Sequence, residues 1–474
     1  MNVTVRIWAC STKKANIVNR SSEVKIRINK DILKLAIPSI LANITVPIVG
    51  MVDIAVAGHL DSNAATMIGG IAIGTMLFDL LYWNFGFLRV GTGGLAAQAY
   101  GRGDRRECSR IFARSIGIAL CCALVLISIQ WIFVKAAFLF VDCTPEVREL
   151  ASRYFFIRIW AAPATLGLMA FKGWFIGMQD SVSPMVTDLT VNLMNVVMSF
   201  VLALGVGSYD GMGFAGIAAG TVAAQYTGLA VALCLLLAKY LRNTLSHLTM
   251  PDIRGLFKGE ETRRFFVMNT DLFVRSLCFI AIYIGFTVIS ARYGDLLLAV
   301  SSILMKLLMI FSYFTDGFAY AGEALTGRFI GAKDETMLRQ TVKWTFVWSM
   351  FIALIFMFIY QFAGVPLLRM MTSDNAVVEA SKEYLPWLLL MPVIGCAAFT
   401  WDGIYIGATA SKAIRNSMLW AVVAFVSVWF IGISCVSPGL PSYNNVAMHI
   451  LMAAYFAHLL ARTVYLSVKY HRLV

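Results

Sequence analysis

The stretch LAIPSILANITVPIVGMVDIAVA, residues 35–57, decides the fold class. It is an apolar run of membrane-crossing length, since roughly 20 residues at 1.5 Å each traverse the hydrocarbon of a bilayer. Yet it carries one carboxylate, Asp53, and two prolines, Pro38 and Pro47. An acid at the centre of a spanning helix costs about 2.5–3.5 kcal/mol on insertion scales, so one kept there points to a watered cavity and to ion or proton movement. The plainer reading places Asp53 near the outer interface beside Gly58 and His59, where it is simply hydrated. Each proline removes a backbone hydrogen bond and crowds the preceding turn, so Pro38 and Pro47 are the expected bending points of this helix.

Outward from that stretch the chain stays apolar. Its 474 residues are 59% hydrophobic and 14% charged, with a mean hydropathy of +0.76, which excludes a soluble globular protein. Apolar runs between polar turns mark about twelve spans, so the fold class is an all-α polytopic membrane protein. Residues 1–30 hold Arg6, Lys13, Lys14, Arg20, Lys25, Arg27 and Lys30 but no apolar core of signal-peptide length; they read as a basic, disordered cytoplasmic leader. The net charge of +13 gathers in alternate loops, at Arg102 to Arg110, at Lys239 to Arg264 and at Arg328 to Arg339. The loops between, such as His59 to Asp61 and the one holding Asp210, are poor in Lys and Arg. By the positive-inside rule both termini and the central loop are cytoplasmic, and the charge describes topology rather than nucleic-acid binding.

The two halves repeat. GGLAAQAYGRGDRREC at 93–108 lies over EALTGRFIGAKDETML at 323–338, an offset of 230, and at the same offset GWFIG at 173–177 meets GIYIG at 403–407. With six spans in each half, both halves enter the membrane in the same sense, so the repeat is parallel about an axis along the membrane normal. The expected organisation is an N-lobe at 31–241, a cytoplasmic linker at 242–262 and a C-lobe at 263–474. Two lobes about a central cavity is a transporter's architecture.

The intramembrane polar residues are the functional shortlist. In the first half they are Asn43, Asp53, Asp79, Asn84, Arg89, Arg158, Lys172, Asp188, Asn192, Asn195 and Ser199. In the second half they are Asn269, Asp271, Arg275, Lys306, Asp316, Glu323 and Asp402. Asn192, Asn195 and Ser199 follow i, i+3, i+7 spacing and so share one helix face, presenting oxygens that suit a sodium ion or a protonated carboxyl; hydrogen bonding between helices is the equal alternative. Asp271 and Arg275, at i and i+4, read as an ion pair. Asp271, Arg275, Asp316, Glu323 and Asp402 together read as a second-lobe polar network, with a structural role at least as natural as a transport role. The cysteines and histidines show no ligand spacing, which leaves no metal site and no cofactor. Gly91 to Gly94 follow no strand, so they read as helix packing or a hinge rather than a phosphate loop, and no Walker-type motif is present to couple transport to ATP.

These motifs resemble a known family. LAIPSILANITVPIVGMVDIAVAGHLDS at 35–62, FLRVGTGGLAAQAYG at 87–101, DGFAYAGEALTGRFIGAKD at 316–334 and WDGIYIGATAS at 401–411 are similar to the DinF branch of the multidrug and toxic compound extrusion (MATE) transporters. The resemblance implies twelve helices in two six-helix lobes of a prokaryotic inner-membrane protein, here read as a monomer. It also implies secondary export of organic, often cationic or amphipathic compounds in exchange for protons or sodium ions. By position it assigns cation coupling to Asp53, Asn195 and Thr221, and helix bending to Pro38. Relatives often carry a second aspartate where this chain has Ser199, which favours protons over sodium at Asp53 and Asn195. The alternative within the wider superfamily is a flippase for a lipid-linked or amphipathic metabolite. That activity calls for free cavity cations, for which Arg89, Arg158, Lys172, Arg275 and Lys306 are the candidates. No motif of an intramembrane enzyme is present.

Overall fold

The computed structural model describes residues 24–58, 60, 64–139, 141, 143–249, 252, 255, 257–372, 374–437 and 442–472. Among these, twelve long apolar helices follow one another. In the first lobe they are α1 (Val24–Ala57), α2 (Thr66–Gly101), α3 (Arg105–Ala137), α4 (Pro145–Gly177), α5 (Val182–Leu204) and α6 (Phe214–Tyr240). In the second they are α7 (Thr262–Ala291), α8 (Asp295–Gly331), α9 (Glu335–Met371), α10 (Leu385–Gly407), α11 (Ser411–Ser434) and α12 (Tyr443–Lys469). His59 and Asp61, expected in a cation-poor loop, lie outside the described residues.

Equivalent residues of the two lobes perform the same local tasks. Asp104 caps α3 by accepting from the Glu107 N–H at 2.9 Å, and Asp334, 230 positions on, caps α9 by accepting from the Met337 N–H at 3.0 Å. The residues before the caps, Gly103 and Lys333, have φ of +74° and +56°, and the turns after α4 and α10 carry Gln179 at +64° and Thr409 at +53°. A left-handed β-branched residue such as Thr409 is costly, and surrounding contacts have to hold it there.

The lobes meet along the second half of α2, Phe87–Gly101, which packs on α8, α7 and α10, whereas most of its first half, Ala64–Trp83, packs within its own lobe, Trp83 at its end meeting the rings of Phe279 and Tyr283 of α7. The small residues of α2 allow that approach. A Cβ at Gly93 would strike the Glu323 carboxylate, and one at Gly94 the Ile406 carbonyl. The contact is reciprocal across the repeat: a Cβ at Gly101 would meet the Arg328 carbonyl, and one at Gly331 the Gln98 carbonyl. Side chains add to the seam at the same end. Gln98 Nε2 donates to the Gly407 carbonyl at 3.0 Å and to Thr409 Oγ1 at 3.1 Å, and Gln179 Nε2 donates to the Ala324 carbonyl at 2.7 Å.

Helix α1 departs from the expected leader boundary. It is already helical at Val24, because Val24, Ile28, Ile32 and Leu35 form an apolar stripe at helical spacing. Ile28 and Ile32 are fully buried with Phe318, Leu338 and Val342 of the second lobe. Lys25 sits 4.7 Å over the Trp344 ring, and the Trp348 indole N–H donates to Asn29 Oδ1 at 2.7 Å. Residues 24–30 are therefore part of α1, while the remainder of the expected leader, 1–23, lies outside the described residues. The helix is interrupted at Thr45, and its second half, Val46–Gly58, packs against α2, α5 and α6 of the first lobe. Pro47 lies two residues past that interruption and has no N–H to give to the Asn43 carbonyl; at Pro38 the helix is continuous.

The expected linker lies partly outside the described residues, at 250, 251, 253, 254 and 256. Its described part is docked. The Arg106 guanidinium donates twice to Asp252, at 2.8 and 3.0 Å, and the Ser109 hydroxyl donates to the Thr244 carbonyl at 2.6 Å.

Candidate transport site

One face of α5 gathers the first-lobe candidates. Asn192, Asn195 and Ser199 reach in turn to the interruption of α1, to α6 and to the second half of α1. Asn192 Nδ2 donates to Thr45 Oγ1 at 2.5 Å, Asn195 Nδ2 donates to Thr221 Oγ1 at 2.9 Å, and the Ser199 hydroxyl donates to Asp53 Oδ1 at 3.2 Å. Asp53, Asn195, Ser199 and Thr221 are all buried, with Asp53 7% exposed. Close approach makes the cluster tight: a Cβ at Gly220 of α6 would meet the Ser199 backbone. The interfacial, hydrated reading of Asp53 does not describe this enclosed carboxylate.

Two features bear on what the cluster can bind. Asn195 Oδ1 is buried without a hydrogen-bond partner among the described residues, and an unpaired buried carbonyl costs about 1–3 kcal/mol, so it is poised to accept a donor or a cation. Asp53 lies in the field of Arg158 of α4, whose guanidinium donates to the Tyr154 hydroxyl at 2.9 Å and lies 4.8 Å from the Phe78 ring. Arg158 is thus the counter-charge of this site, a role that its place in an apolar span signals but its spacing does not.

In the second lobe the expected pair of Asp271 with Arg275 does not form. Asp271 instead accepts from the Ser411 hydroxyl at 2.7 Å and from the Arg415 guanidinium at 2.6 Å, both on α11. Arg275 donates to Asp402 Oδ2 of α10 at 2.6 Å, and Arg462 of α12 donates to the same oxygen at 2.6 Å. Each residue meets its partner across the packing of neighbouring helices, Asp271 on α11 and Arg275 on α10, rather than one turn away on its own helix. Arg415 and Arg462 escaped the sequence reading, although a cation inside the apolar run of α12 was a visible signal. Glu323 makes its hydrogen bond outside the expected second-lobe network. Fully buried, it accepts from Arg89 of the first lobe at 3.1 Å. Arg89 also lies 4.4 Å over the Tyr320 ring, and Lys172, 5.9 Å from that ring, donates to Asp188 at 2.7 Å. Asp316 stands in the combined field of Arg89 and Arg275.

A buried acid on an interrupted helix, in a two-lobe bundle whose closest crossing lies toward one end, is the frame of an alternating-access carrier. A model of the MatE family matches residues 38–201 and 272–433, one stretch in each half. The chain belongs to the MatE family. Over 397 residues it is 34% identical to DNA damage-inducible protein F of Escherichia coli (strain K12), covering 84% of each chain. It is 23% identical to the probable multidrug resistance protein NorM of Photorhabdus laumondii, over 85% of this chain and 86% of that one. A multidrug resistance MATE family transporter of the MOP superfamily, solved in an outward-facing conformation, matches it with a TM-score of 0.82 over 94% of this chain and 96% of its own. At 14% identity that likeness shows a shared two-lobe fold. Membership of the MatE family makes this multi-pass membrane protein an efflux transporter for multidrug or toxic compounds and not an enzyme.

Proposed function

We propose that the chain is a secondary antiporter of the prokaryotic cytoplasmic membrane, exporting organic, often cationic or amphipathic compounds in exchange for protons, with Asp53 as the group that takes up and releases the proton. The observation that carries this reading is the Ser199-to-Asp53 hydrogen bond, which ties a buried carboxylate to α5 beside the unpartnered Asn195 Oδ1. When Asp53 is ionised, the Ser199 hydroxyl donates to it and Arg158 supplies the opposing charge. When it is protonated, the cost of burying its charge vanishes, and the new O–H finds in Asn195 Oδ1 an acceptor that nothing else uses. The second half of α1 then rests differently against α5 and α6, and the interruption at Thr45, beside Pro47, absorbs the change. The proton drives export only because it binds the two states unequally. The acceptor oxygens of Asn195, Ser199 and Thr221 would also serve a sodium ion, and vesicle efflux under each gradient in turn separates the two ions.

The positive-inside rule places the basic turns after α2 and α8 in the cytoplasm, together with both termini. The lobes are joined at that end, so this conformation corresponds to the outward-facing state, and export proceeds by rocking the lobes about the site. A flippase is less favoured, because its anionic cargo needs free cavity cations, and of the five candidates Arg89, Lys172 and Arg275 are each paired with a carboxylate, which leaves Arg158 and Lys306 without an ion pair among the described residues.

The test is ethidium efflux from vesicles reconstituted with wild type and Asp53→Asn, under a proton gradient and then under a sodium gradient. The reading expects efflux under the proton gradient alone and its loss in the variant. Wild-type efflux by Asp53→Asn overturns the role of Asp53, and efflux under sodium alone overturns the ion.

A further inference from the structure

At the basic end of the second lobe the start of α7, the end of α10, the start of α11 and the end of α12 enclose a groove of about 690 Å³. Four cations stand at it, Arg263 and Arg264 of α7, Lys412 of α11 and Lys469 of α12. The acid among the lining residues, Glu260, meets Arg263 at 3.4 Å while both side chains remain largely exposed, a geometry that neutralises little. Deeper in, the lining changes character. Met268 and Tyr405 are buried, while the exposed Val267 and the half-buried Ala413 supply accessible apolar lining. A cationic rim over an apolar floor selects a ligand with the opposite polarity at one end and hydrocarbon at the other.

We propose that this groove binds an anionic membrane phospholipid, its phosphate among the four cations and the first part of its acyl chains against Val267 and Ala413, over the buried Met268 and Tyr405. The chain's own leader does not suit it, because residues 1–23 hold Arg6, Lys13, Lys14 and Arg20 against Glu23. The site is separate from the Asp53 cluster and does not rest on the antiport reading.

Occupancy reaches the seam between the lobes through one hydroxyl. Arg264 Nη2 donates to Thr409 Oγ1 at 3.1 Å, and the same oxygen accepts from Gln98 of the first lobe at 3.1 Å. A phosphate that draws Arg264 into the groove leaves Thr409 to Gln98 alone, so a bound lipid alters the hydrogen bonding that holds the lobes together.

The experiment is native mass spectrometry of the purified full chain, titrated with phosphatidylglycerol, with phosphatidylcholine and with inorganic phosphate. Phosphatidylglycerol is expected to be retained in preference to phosphatidylcholine. The double variant Lys412→Gln/Lys469→Gln takes two positive charges away from the phosphate and is expected to weaken that retention by roughly 10- to 30-fold. Lys412→Arg/Lys469→Arg is expected to restore it. Equal retention of the two lipids, or undiminished retention of phosphatidylglycerol by the glutamine variant, overturns the proposal. Binding of inorganic phosphate without lipid preference assigns the cations to a soluble anion and overturns the lipid. Should the double variant fail to elute as a single species on size exclusion, Lys412→Gln alone, at an exposed position, is judged by the same criteria.

Discussion

Ser199 donates its hydroxyl to Asp53 Oδ1 at 3.2 Å, joining residues 146 positions apart on α5 and α1. The bond gives the two variants of this pair different outcomes. Asp53→Asn keeps the volume and removes the titratable group, so it is expected to insert and fold but to lose gradient-driven export. Ser199→Ala removes one hydrogen bond to a charged acceptor and keeps the acid, so export is expected to persist but to slow by on the order of tenfold. Initial rates of dye efflux from matched vesicles check both, and equal loss in the two variants would show that the hydroxyl matters as much as the carboxyl.

Arg89 and Glu323 form an ion pair between the lobes in which the carboxylate is fully buried. Removing one member of such a pair strands the other charge, at about 3–5 kcal/mol, whereas replacing both with apolar residues of similar volume is often neutral. Glu323→Leu alone is therefore expected to lower the unfolding temperature in detergent sharply, and Arg89→Met/Glu323→Leu to recover most of the loss. Additive losses in the double variant would contradict a buried pair.

Gly101 and Gly331 face the carbonyls of Arg328 and Gln98 across the seam. A methyl at either position has backbone in front of it rather than a side chain that could turn aside. Gly101→Ala and Gly331→Ala are expected to separate the lobes at the basic end and to populate the conformation open there. Spin-label distances across the seam, measured between labels on the turns after α2 and α8, should lengthen; unchanged distances would refute the close crossing.

Asp180, in the turn between α4 and α5, accepts from the Ser183 N–H at 3.0 Å and hydroxyl at 2.7 Å, from Lys239 at 3.0 Å and from the Tyr240 hydroxyl at 3.1 Å. Partial burial pushes its carboxyl up, but the Ser183 and Lys239 hydrogen bonds outweigh it and hold the group below the usual carboxylate value. A depressed folded-state value means that the stabilisation is complete above the unfolded value, roughly pH 4, and is lost as pH falls through the folded one. Melting temperature should fall with acidification below about pH 4 more steeply in wild type than in Asp180→Asn. Parallel pH profiles would remove Asp180 from the account.

Much of this was legible in the letters because membrane helices have few ways to be wrong. Hydropathy marks the spans, and an offset of 230 that aligns GWFIG with GIYIG also aligns Asp104 with Asp334. The i, i+3, i+7 face of α5 could be read because Asn192, Asn195 and Ser199 lie on one helix, so periodicity alone puts them together. The partners of Asp271, Arg275 and Glu323 could not be read that way. Their choice is made by how helices sit beside one another, so Asp271 found Arg415 rather than the arginine one turn away, and Glu323 crossed to Arg89. The start of α1 was misread for a related reason. Lys25, Arg27 and Lys30 made it resemble a solvated leader, and the stripe of Val24, Ile28 and Ile32 has value only against a surface supplied by the second lobe.

That arrangement of α1 bears on how the protein is made. Asn29 waits for Trp348, 319 residues later in the chain, so α1 is finished only after α9 has been made. Until α8 and α9 are in the bilayer, one face of its first half has lipid or a chaperone for company. A first lobe expressed by itself would carry that unmet face as a lesion, and supplying the second lobe as a separate polypeptide would mend it. The two halves are thus one unit of assembly, stitched by α1.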